Sequence, residues 1–287
     1  MEYIYILRPW QWVKNLLILV PIILTKPLSL DNLQNNLIIF ISFSLLASGN
    51  YILNDIKDLQ NDKLHPKKKF RPIASGKIDI NNAKIYSFLV ISSSLALTYL
   101  VESKLIIYYF FYLLFAYFYT NYFKYIFLIN SFSISTFFLI RLLIGGAVSN
   151  IKISIYLAIY IFFTSFFIAT LKKNAILNTQ GIKKSEYLTL LKKENLTIST
   201  DSLSIISLLL SNVTLIIWSL NNLTEMTETK FTIMIVFLVF YFLFTLLLHT
   251  NSKKGELEDF VLGIIQDRNL VLLLIVLLVS FYYVYFN

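Results

Sequence analysis

The chain has 287 residues, of which 57% are hydrophobic and only 14% are charged. With a mean hydropathy of +0.70 and long apolar blocks, it is not an ordinary soluble enzyme, whose core needs far less apolar surface. The lack of cysteine excludes disulfides and thiolate metal sites. A net charge of +9 would suit nucleic acid, but the basic residues stand between apolar blocks, as in cytoplasmic loops. The composition therefore indicates an integral membrane protein with no nucleic-acid partner.

Several apolar segments approach the roughly 20 residues that an α-helix needs to cross a bilayer. The first starts near Arg8 and has no small-residue cleavage site, so we interpret it as a retained helix rather than a signal peptide. We predict one all-α, multi-pass domain over residues 1–287. Its nine spans are expected at residues 9–26, 35–59, 82–101, 103–121, 127–148, 152–172, 200–221, 229–249 and 269–286.

Basic residues are unequally divided between the two ends of these helices. One end has only Lys26, Lys104, Lys152 and Lys230, whereas the other has nearly all the rest; Arg141 lies within the fifth helix. Positively charged loops stay in the cytoplasm. We therefore predict a protein of the inner (cytoplasmic) membrane with its N-terminus inside. The long polar loops fall on the same side, which predicts an active site facing the cytoplasm.

The second predicted helix ends in a polar stripe. Asn50, Asn54, Asp58 and Asp62 recur every four residues and share one helix face, with Asp55 next to Asn54. Carboxylates at the end of an apolar helix require a positive partner. Oxygen ligands without a nearby His or Cys favour Mg²⁺. The pattern predicts a magnesium site on Asp55, Asp58 and Asp62, with Asn54, Asp55 and Asp58 as catalytic residues.

The loop that follows is strongly basic. It contains Lys67, Lys68, Lys69 and Arg71, followed by the segment 72–76. Ammonium and guanidinium groups next to carboxylate-bound Mg²⁺ are typical of a diphosphate site, because the metal binds some oxygens and the cations bind the others. We single out Lys67, Lys69 and Arg71 as substrate-binding residues. The alternative is an ordinary solvated loop after a frayed helix end.

Two blocks of sequence resemble a known family. Asn54-Asp55-x-x-Asp58-x-x-x-Asp62 followed by Arg71-Pro72-Ile73-x-x-Gly76 is similar to the first aspartate motif of the UbiA superfamily of intramembrane prenyltransferases. His65 to Gly76 and the N-terminal Arg8-Pro9-Trp10-Gln11-Trp12-Val13-Lys14-Asn15 resemble the branch that includes decaprenyl-phosphate phosphoribosyltransferase. Lys14, in the second of these blocks, joins the expected substrate-binding residues.

The resemblance implies a nine-helix bundle around a central cavity open to lipid, with Mg²⁺ and a phosphorylated substrate at its cytoplasmic mouth. In that branch the donor is phosphoribosyl diphosphate and the acceptor is a polyprenyl phosphate. Elsewhere in the superfamily a prenyl diphosphate is ionised and an aromatic ring or another acceptor captures the carbocation.

The resemblance also implies further polar residues. Lys124 stands where the family has a Lys, and Asn130 stands where, six residues on, the family has an Asp. An amide brings no negative charge, so a second metal ion would be held more weakly. Lys172 and Lys173, expected to end the sixth helix, match a basic pair of the branch and are expected to contact substrate.

Arg141 lies about 16 Å deeper than Asn130 along the same helix. A guanidinium at that depth is expected to face the bundle interior, where a phosphate or a carboxylate would be its partner. The alternative is a structural ion pair or a snorkelling side chain. Gly145-Gly146-Ala147, one turn later, should let a neighbouring helix approach closely.

Three functions remain in competition. The first is Mg²⁺-dependent transfer of 5-phosphoribosyl from phosphoribosyl diphosphate to a polyprenyl phosphate, which the His65-Pro66-Lys67 block favours. The second is prenyl transfer from a polyprenyl diphosphate to an aromatic acceptor. The third is a transporter or lipid-binding pseudoenzyme, for which Asn130 is the best argument. The sequence leaves the polyprenyl length and the oligomeric state open, a homo-oligomer included.

Overall fold

The computed structural model describes residues 2–24, 30–64, 68–178, 200–221, 228–253 and 260–286. Every regular element in these ranges is helical, which confirms the all-α prediction for the described part of the chain. The chain divides into two compact units. Unit 1 comprises Met1–Phe123 and Ile140–Ile153, and unit 2 comprises Lys124–Leu139 and Ser154–Asn287.

Unit 1 is built around a long apolar helix, α3, which packs against α5 and against an extended 3-10 helix. Its elements in chain order are α1 (Glu2–Ile6), the long 3-10 helix (Pro9–Leu19), α2 (Val20–Ile23), α3 (Leu30–Lys57), α4 (Leu59–Leu64), a 3-10 turn (Lys68–Phe70), α5 (Ile80–Val101), a second 3-10 turn (Ser103–Leu105) and α6 (Ile106–Asn121). Helix α7 (Phe127–Val148) contributes its C-terminal part to this unit.

Unit 2 is a helical bundle in which α8 packs against α9 and α10 packs against α12. After a third 3-10 turn (Phe123–Tyr125) and the first part of α7, its helices are α8 (Ile155–Asn178), α9 (Thr200–Asn221), α10 (Glu228–Lys253), α11 (Phe260–Gln266) and α12 (Arg268–Phe286). Its buried core is formed by Phe167, Leu171, Ala175, Leu208, Leu248 and Leu270.

Six helices of the described residues are long and apolar enough to span a membrane, so the protein is a multi-pass membrane protein. They are Asn32–Lys57, Ile80–Val101, Leu128–Val148, Ile155–Ala175, Asp201–Asn221 and Thr229–Ser252. A seventh apolar stretch, Arg268–Val284, is shorter. The count of nine spans remains a prediction, because six suitable helices are found among the described residues. The cytoplasmic N-terminus also remains a prediction, because length and composition do not show which side of the membrane a helix end faces.

The first predicted span is wrong in its helix type. Residues 9–19 form a 3-10 helix, which has about three residues per turn, so side chains at i and i+3 lie in one row. One row consists of Trp12, Asn15 and Ile18, and its first two members bond to α3. The Trp12 indole N–H donates to Ser48 Oγ at 3.0 Å, and the Asn15 amide donates to Ser44 Oγ at 3.0 Å. Ser44 and Ser48 lie one α-helical turn apart, so they bond successive members of the row.

A second row of the same helix is exposed. In addition, α7 lies against the C-terminal end of this helix, at Ile18. Trp10, Val13 and Leu16 are all exposed apolar side chains. A Cβ added at Gly145 of α7 would collide with the Ile18 carbonyl, so only glycine allows the two backbones to lie this close. The expected close approach at this glycine is therefore confirmed.

Candidate active site

The aspartate motif lies where α3 gives way to α4. Helix α3 ends at Lys57 and α4 begins at Leu59. The Asp58 N–H nevertheless donates to the Asn54 carbonyl at 2.9 Å, and the Asp62 N–H donates to the Asp58 carbonyl at 2.8 Å. The four-residue bonding pattern continues through the junction, so the polar stripe expected from the sequence persists although the helix is interrupted.

An apolar cluster holds this junction against the basic loop and α1. Its buried members come from α1, α3, the loop and the start of α5, and Ile56 and Leu59 pack against them. The buried members are Ile6, Ile52, Ile73, Ile78 and Ala83. Burial of these side chains fixes the loop next to the carboxylates, which is why residues far apart in sequence meet here.

The loop turns back on itself directly after Arg71. The Ser75 N–H donates to the Arg71 carbonyl at 2.8 Å, and the Ile78 N–H donates to the Pro72 carbonyl at 3.1 Å. Gly76 closes the turn with φ of 77°, in the left-handed region that favours glycine. The turn thereby fixes the backbone from which the Arg71 side chain extends to the aspartates.

Two arginines and two aspartates form a connected ion-pair network. Asp55 is buried, and both of its carboxylate oxygens accept from Nη2 of Arg8 at 2.5 Å. Nη1 of Arg71 donates to Asp55 at 3.0 Å and to Asp62, also buried, at 2.7 Å. Lys68 lies 3.8 Å from Asp62. Buried carboxylates require such partners, because isolated charges are costly away from water.

The remaining motif residues lie beside the network. Asp58 is half-buried and accepts from the Asn54 amide at 3.2 Å. No group of three His, Cys, Asp or Glu side chains converges as a metal-binding set within the described ranges. Asp55 and Asp62 are instead brought together through Arg71, whereas Asp58 faces Asn54. The structure thus assembles the predicted residues as a site of mixed charge.

Arg8 is the residue of this network that sequence reasoning did not select. Its backbone is left-handed, with φ of 54° and ψ of 57°, which costs a non-glycine residue about 1–2 kcal/mol. Ser48 Oγ donates to the neighbouring Leu7 carbonyl at 2.7 Å and stabilises this turn. The guanidinium also lies 5.5 Å from the centre of the Tyr51 ring. The N-terminal block was noted in the sequence, but nothing in it pointed to a partner 47 positions away.

Comparison with known proteins assigns the chain to a family. The model of the UbiA prenyltransferase family matches residues 16–265, which is most of the chain. The chain belongs to the UbiA prenyltransferase family. The recognition made from the aspartate motif is therefore confirmed.

Two curated relatives share the name decaprenyl-phosphate phosphoribosyltransferase. The protein of Mycolicibacterium smegmatis is 31% identical over 173 residues, covering 58% of this chain and 54% of the relative. The protein of Corynebacterium glutamicum is 31% identical over 176 residues, covering 59% and 52%. The chain thus aligns with little more than half the length of these relatives.

A solved structure confirms the fold. A UbiA homolog from Archaeoglobus fulgidus bound to DMAPP and Mg²⁺ superposes with a TM-score of 0.66 over 100% of both chains, at 17% identity. At this identity the likeness establishes the UbiA fold.

The donor chemistry of the aspartate site fits a hard divalent cation. Asn54, Asp55, Asp58 and Asp62 offer only oxygen ligands to a metal, which is the set that Mg²⁺ prefers. The carboxylates of Asp55 and Asp62 accept from arginines, so a cation would share them with guanidinium groups or replace those groups.

The predicted lysines of the loop have different surroundings. Lys69 is exposed, with its ammonium 5.1 Å from the Phe70 ring, whereas its neighbour Lys68 is the lysine that reaches Asp62. The prediction for Lys67 lies outside the described residues. Lys14 is exposed on the long 3-10 helix of unit 1.

The predicted second cluster lies in unit 2. The Asn130 amide donates to the Lys124 carbonyl at 2.9 Å, and the Lys124 ammonium lies 5.0 Å from the Tyr125 ring. Asn130 therefore stabilises the turn that begins α7. An aspartate could not make this bond, because an ionised carboxylate donates no proton.

The expected end of the sixth span at Lys172 and Lys173 is wrong. Helix α8 continues to Asn178, and Ala175 extends its buried face beyond the lysine pair. Lys172 is exposed, whereas Lys173 is buried and donates to Ser131 Oγ at 2.8 Å. Only one of the two lysines thus has its ammonium in the interior of unit 2.

Arg141 is buried in unit 1, as expected for an intramembrane guanidinium. Its Nε donates to Asn15 Oδ1 at 2.7 Å, and the guanidinium carbon lies 5.2 Å from the Phe43 ring and 5.7 Å from the Tyr112 ring. Aromatic faces and an amide oxygen both stabilise the cation. These contacts tie α7 to the long 3-10 helix, α3 and α6.

A further buried polar cluster joins three helices of unit 2. His249 of α10 lies with Nδ1 3.1 Å from Ser204 Oγ and Nε2 3.3 Å from Asp201, both on α9. The Asn174 amide of α8 donates to the same Ser204 hydroxyl at 3.1 Å. Hydrogen bonds between helices satisfy polar groups in an apolar bundle, so the cluster fixes how these helix ends pack.

Proposed function

We propose that this UbiA family enzyme transfers a 5-phosphoribosyl group from phosphoribosyl diphosphate to a polyprenyl phosphate of decaprenyl type. The observation that carries the proposal is the mixed-charge network of Arg8, Asp55, Arg71 and Asp62. A metal diphosphate carries both signs of charge, so it requires carboxylates for the cation and guanidinium groups for the phosphate oxygens. The names of the mycobacterial and corynebacterial relatives support phosphoribosyl as the transferred group.

The chain's own residues would position and neutralise the donor. Arg71 and Arg8 would donate to the diphosphate oxygens, since guanidinium groups bind phosphate in a planar, bidentate manner. Mg²⁺ held by Asp55, Asp58 and Asp62 would supply positive charge to the departing diphosphate. Asn54 would keep the Asp58 carboxylate oriented through the bond already formed.

In the transfer, the bond between ribose C1 and the diphosphate oxygen breaks, and a bond forms between C1 and an oxygen of the lipid phosphate. The diphosphate leaves with the electron pair, and the positive charge that develops on the sugar is stabilised by the incoming anion. The lipid phosphate is already ionised at neutral pH, so no general base is required. We place this chemistry at the cytoplasmic side of the inner membrane, where a soluble donor and a bilayer-borne acceptor meet.

Prenyl transfer is the second candidate, and the fold comparison favours it. The superposed Archaeoglobus fulgidus homolog is bound to DMAPP, a prenyl diphosphate, and to Mg²⁺. A prenyl diphosphate would present the same charged group to the aspartate site, so the network alone does not distinguish the two donors.

A direct assay separates these functions. Purified protein in detergent is incubated with Mg²⁺, labelled phosphoribosyl diphosphate and decaprenyl phosphate, and in parallel with Mg²⁺, polyprenyl diphosphate and a labelled aromatic acid. We expect label to enter the lipid fraction only in the first reaction, and chelation of Mg²⁺ should abolish it. Transfer in the second reaction alone would replace phosphoribosyl transfer by prenyl transfer.

A further inference from the structure

We propose that α1 lies in the headgroup layer of the bilayer, where lipid covers the exposed surface formed by Ile4, Tyr5 and Trp10. These three residues, the α1 patch, begin on α1 and continue onto the long 3-10 helix. The partner of the α1 patch is the boundary between lipid headgroups and acyl chains. The depth of α1 in the membrane does not depend on which group is transferred in the proposed function.

Helix α1 packs where two consecutive membrane spans reach one surface of the bilayer. The spans are α3, which ends at Lys57, and α5, which begins at Ile80. Ile6, the buried residue of α1, packs in the apolar cluster with Ile52 and Ala83. At 1.5 Å per residue, Ile52 lies about 8 Å from the end of α3 and Ala83 about 5 Å from the start of α5. Interfacial helices lie about 5–10 Å deep, so α1 packs at the depth of such a helix.

Contacts with the start of α5 fix which side of α1 faces the protein. The Tyr3 ring lies 5.0 Å from the Tyr86 ring in an edge-to-face arrangement. The Lys77 ammonium, just before α5, donates to the Glu2 carboxylate at 2.7 Å. Glu2, Tyr3 and Ile6 share one side of α1, because residues three and four positions apart are neighbours on a helix. The opposite side of α1 therefore faces away from the protein.

The outward side of α1 carries an apolar and aromatic surface. Ile4 is 66% exposed, Tyr5 is 53% exposed and Trp10 is 51% exposed. The Tyr5 and Trp10 rings lie 4.9 Å apart, so the surface continues from α1 to the 3-10 helix. Tyrosine and tryptophan are enriched at membrane–water interfaces, because each has an apolar ring and a polar group. The α1 patch thus has the residue types of an interfacial belt.

The neighbouring surface of α5 indicates that lipid is the occupant. Tyr86, which Tyr3 contacts, follows Ile85 directly and precedes Leu89 by one helical turn. Ile85 and Leu89 are exposed apolar residues of a membrane span, and acyl chains cover such a face because lipid tails are as apolar as leucine. Lipid therefore borders α1 at this contact, and the same bilayer reaches the α1 patch.

The position of α1 also sets the depth of the Arg8–Asp55 pair. Arg8 lies between Ile6, which packs in the apolar cluster, and Trp10 of the α1 patch. The turn that contains Arg8 is therefore held on one side by the protein and on the other by lipid. Charged groups are costly in the acyl region, so the headgroup layer is the favourable depth for this ion pair.

The cysteine-free chain allows the depth of the α1 patch to be measured with single labels. Ile4→Cys and Trp10→Cys each carry a nitrobenzoxadiazole dye and report on the patch. Ser75→Cys, exposed in the basic loop, is the aqueous control. Phe88→Cys, exposed on α5 about 12 Å beyond Ile80, is the control for the acyl region. The labelled proteins are reconstituted in phosphatidylcholine nanodiscs, and thermal unfolding verifies that each is folded.

Quenching is measured with lipids that carry a nitroxide near the headgroup or deep in the acyl chain, and with iodide in the water. We expect the shallow nitroxide to quench both labels of the α1 patch about two-fold more than the deep one, because an interfacial helix lies about 5–10 Å deep. The Phe88 label should show the reverse order, and the Ser75 label should be quenched most by iodide.

Three results would overturn the proposal. Quenching of either patch label by iodide alone would place α1 in water, and stronger quenching of either by the deep nitroxide would place it among acyl chains. Protection from all quenchers would mean that another protein surface, such as a second copy of this chain, covers α1. These measurements do not use catalytic activity, so their failure is distinguishable from failure of the proposed function.

Discussion

Asp55 and Asp58 are close in sequence, yet they lie in different surroundings. Asp55 is buried and accepts from two arginines, whereas Asp58 is half-buried and accepts from a neutral amide. Removing the charge of Asp55 leaves two guanidinium groups without their common counter-ion. Asp58 is partly exposed to solvent, which weakens any ion pair that its carboxylate makes. We therefore expect Asp55 to contribute more to the stability of the fold than Asp58 does.

This difference predicts separable effects of two matched substitutions. Asp58→Asn should reduce turnover at least a hundred-fold, because a charged metal ligand is worth several kcal/mol, with the unfolding temperature nearly unchanged. Asp55→Asn should lose turnover and also stability, by about 1–3 kcal/mol, because the arginines lose a charge-assisted partner. Thermal unfolding in detergent and the lipid-transfer assay measure both quantities. Equal stability of the two variants would contradict the role given to the Arg8–Asp55 pair.

Spacing alone predicted part of the site at the residue scale. The four-residue repeat identified Asn54, Asp58 and Asp62, since helix geometry converts that repeat into one face. Arg8 could not be found in this way, because its contact with Asp55 depends on how α1 packs on α3. The partners of Arg141 could not be predicted from the sequence either, because its position along the helix does not show which amide or aromatic ring of another helix lies opposite it.

Among the elements, the long 3-10 helix departs most from expectation. Hydropathy and length predict that a segment is buried in a membrane, but they do not distinguish three from 3.6 residues per turn. The helix type depends on tertiary contacts. Trp12 and Asn15 bond to Ser48 and Ser44 of α3, and the backbone at Ile18 packs against Gly145 of α7. By contrast, α7 and α9 were predicted with their observed bounds, because each is a long apolar stretch flanked by polar residues.

The contact at Gly145 makes the 3-10 helix testable. Gly145→Ala places a methyl group against the Ile18 carbonyl, which is backbone and cannot rotate away. We expect about 1–3 kcal/mol of destabilisation, with weaker binding of Mg²⁺ diphosphate if the Arg8 end moves as well. Gly49→Ala is the comparison, since its methyl group would meet the Ile91 side chain at 2.5 Å and backbone, the Ser87 carbonyl, only at 3.3 Å, whereas at Gly145 the Ile18 carbonyl would be met at 2.1 Å. A smaller loss of thermal stability in Gly145→Ala than in Gly49→Ala would contradict this account.

For the whole molecule, the sequence predicted the class of protein, a multi-pass helical membrane protein, better than it predicted the number and type of the membrane helices. Apolar blocks indicated a multi-pass helical protein, and six helices of suitable length are present among the described residues. The predicted count of nine assumed that each apolar block is one α-helix. The first block violates that assumption as a 3-10 helix, and α6, with 16 residues, is shorter than a full span. The orientation rests on the charge asymmetry alone.

The cysteine-free chain allows the orientation to be measured directly. Ser75 lies exposed in the basic loop, and Lys104 lies exposed between α5 and α6, at the opposite end of α5. With the N-terminus inside, Ser75→Cys should react with a membrane-impermeant maleimide only after the membrane is opened, and Lys104→Cys should react in intact cells. The reverse labelling pattern would place the aspartate site outside the cell.

The spacing of the 3-10 helix also constrains how this part of the gene can evolve. Substitutions within one row change only that row, so the apolar face can vary among hydrophobic residues without affecting the serine contacts. A single-residue insertion or deletion between Pro9 and Trp12 instead shifts the register of the rows, so that Trp12 and Asn15 no longer lie opposite Ser48 and Ser44. We therefore expect the number of residues between Pro9 and Ile18 to be the same among orthologues even where the amino acids differ.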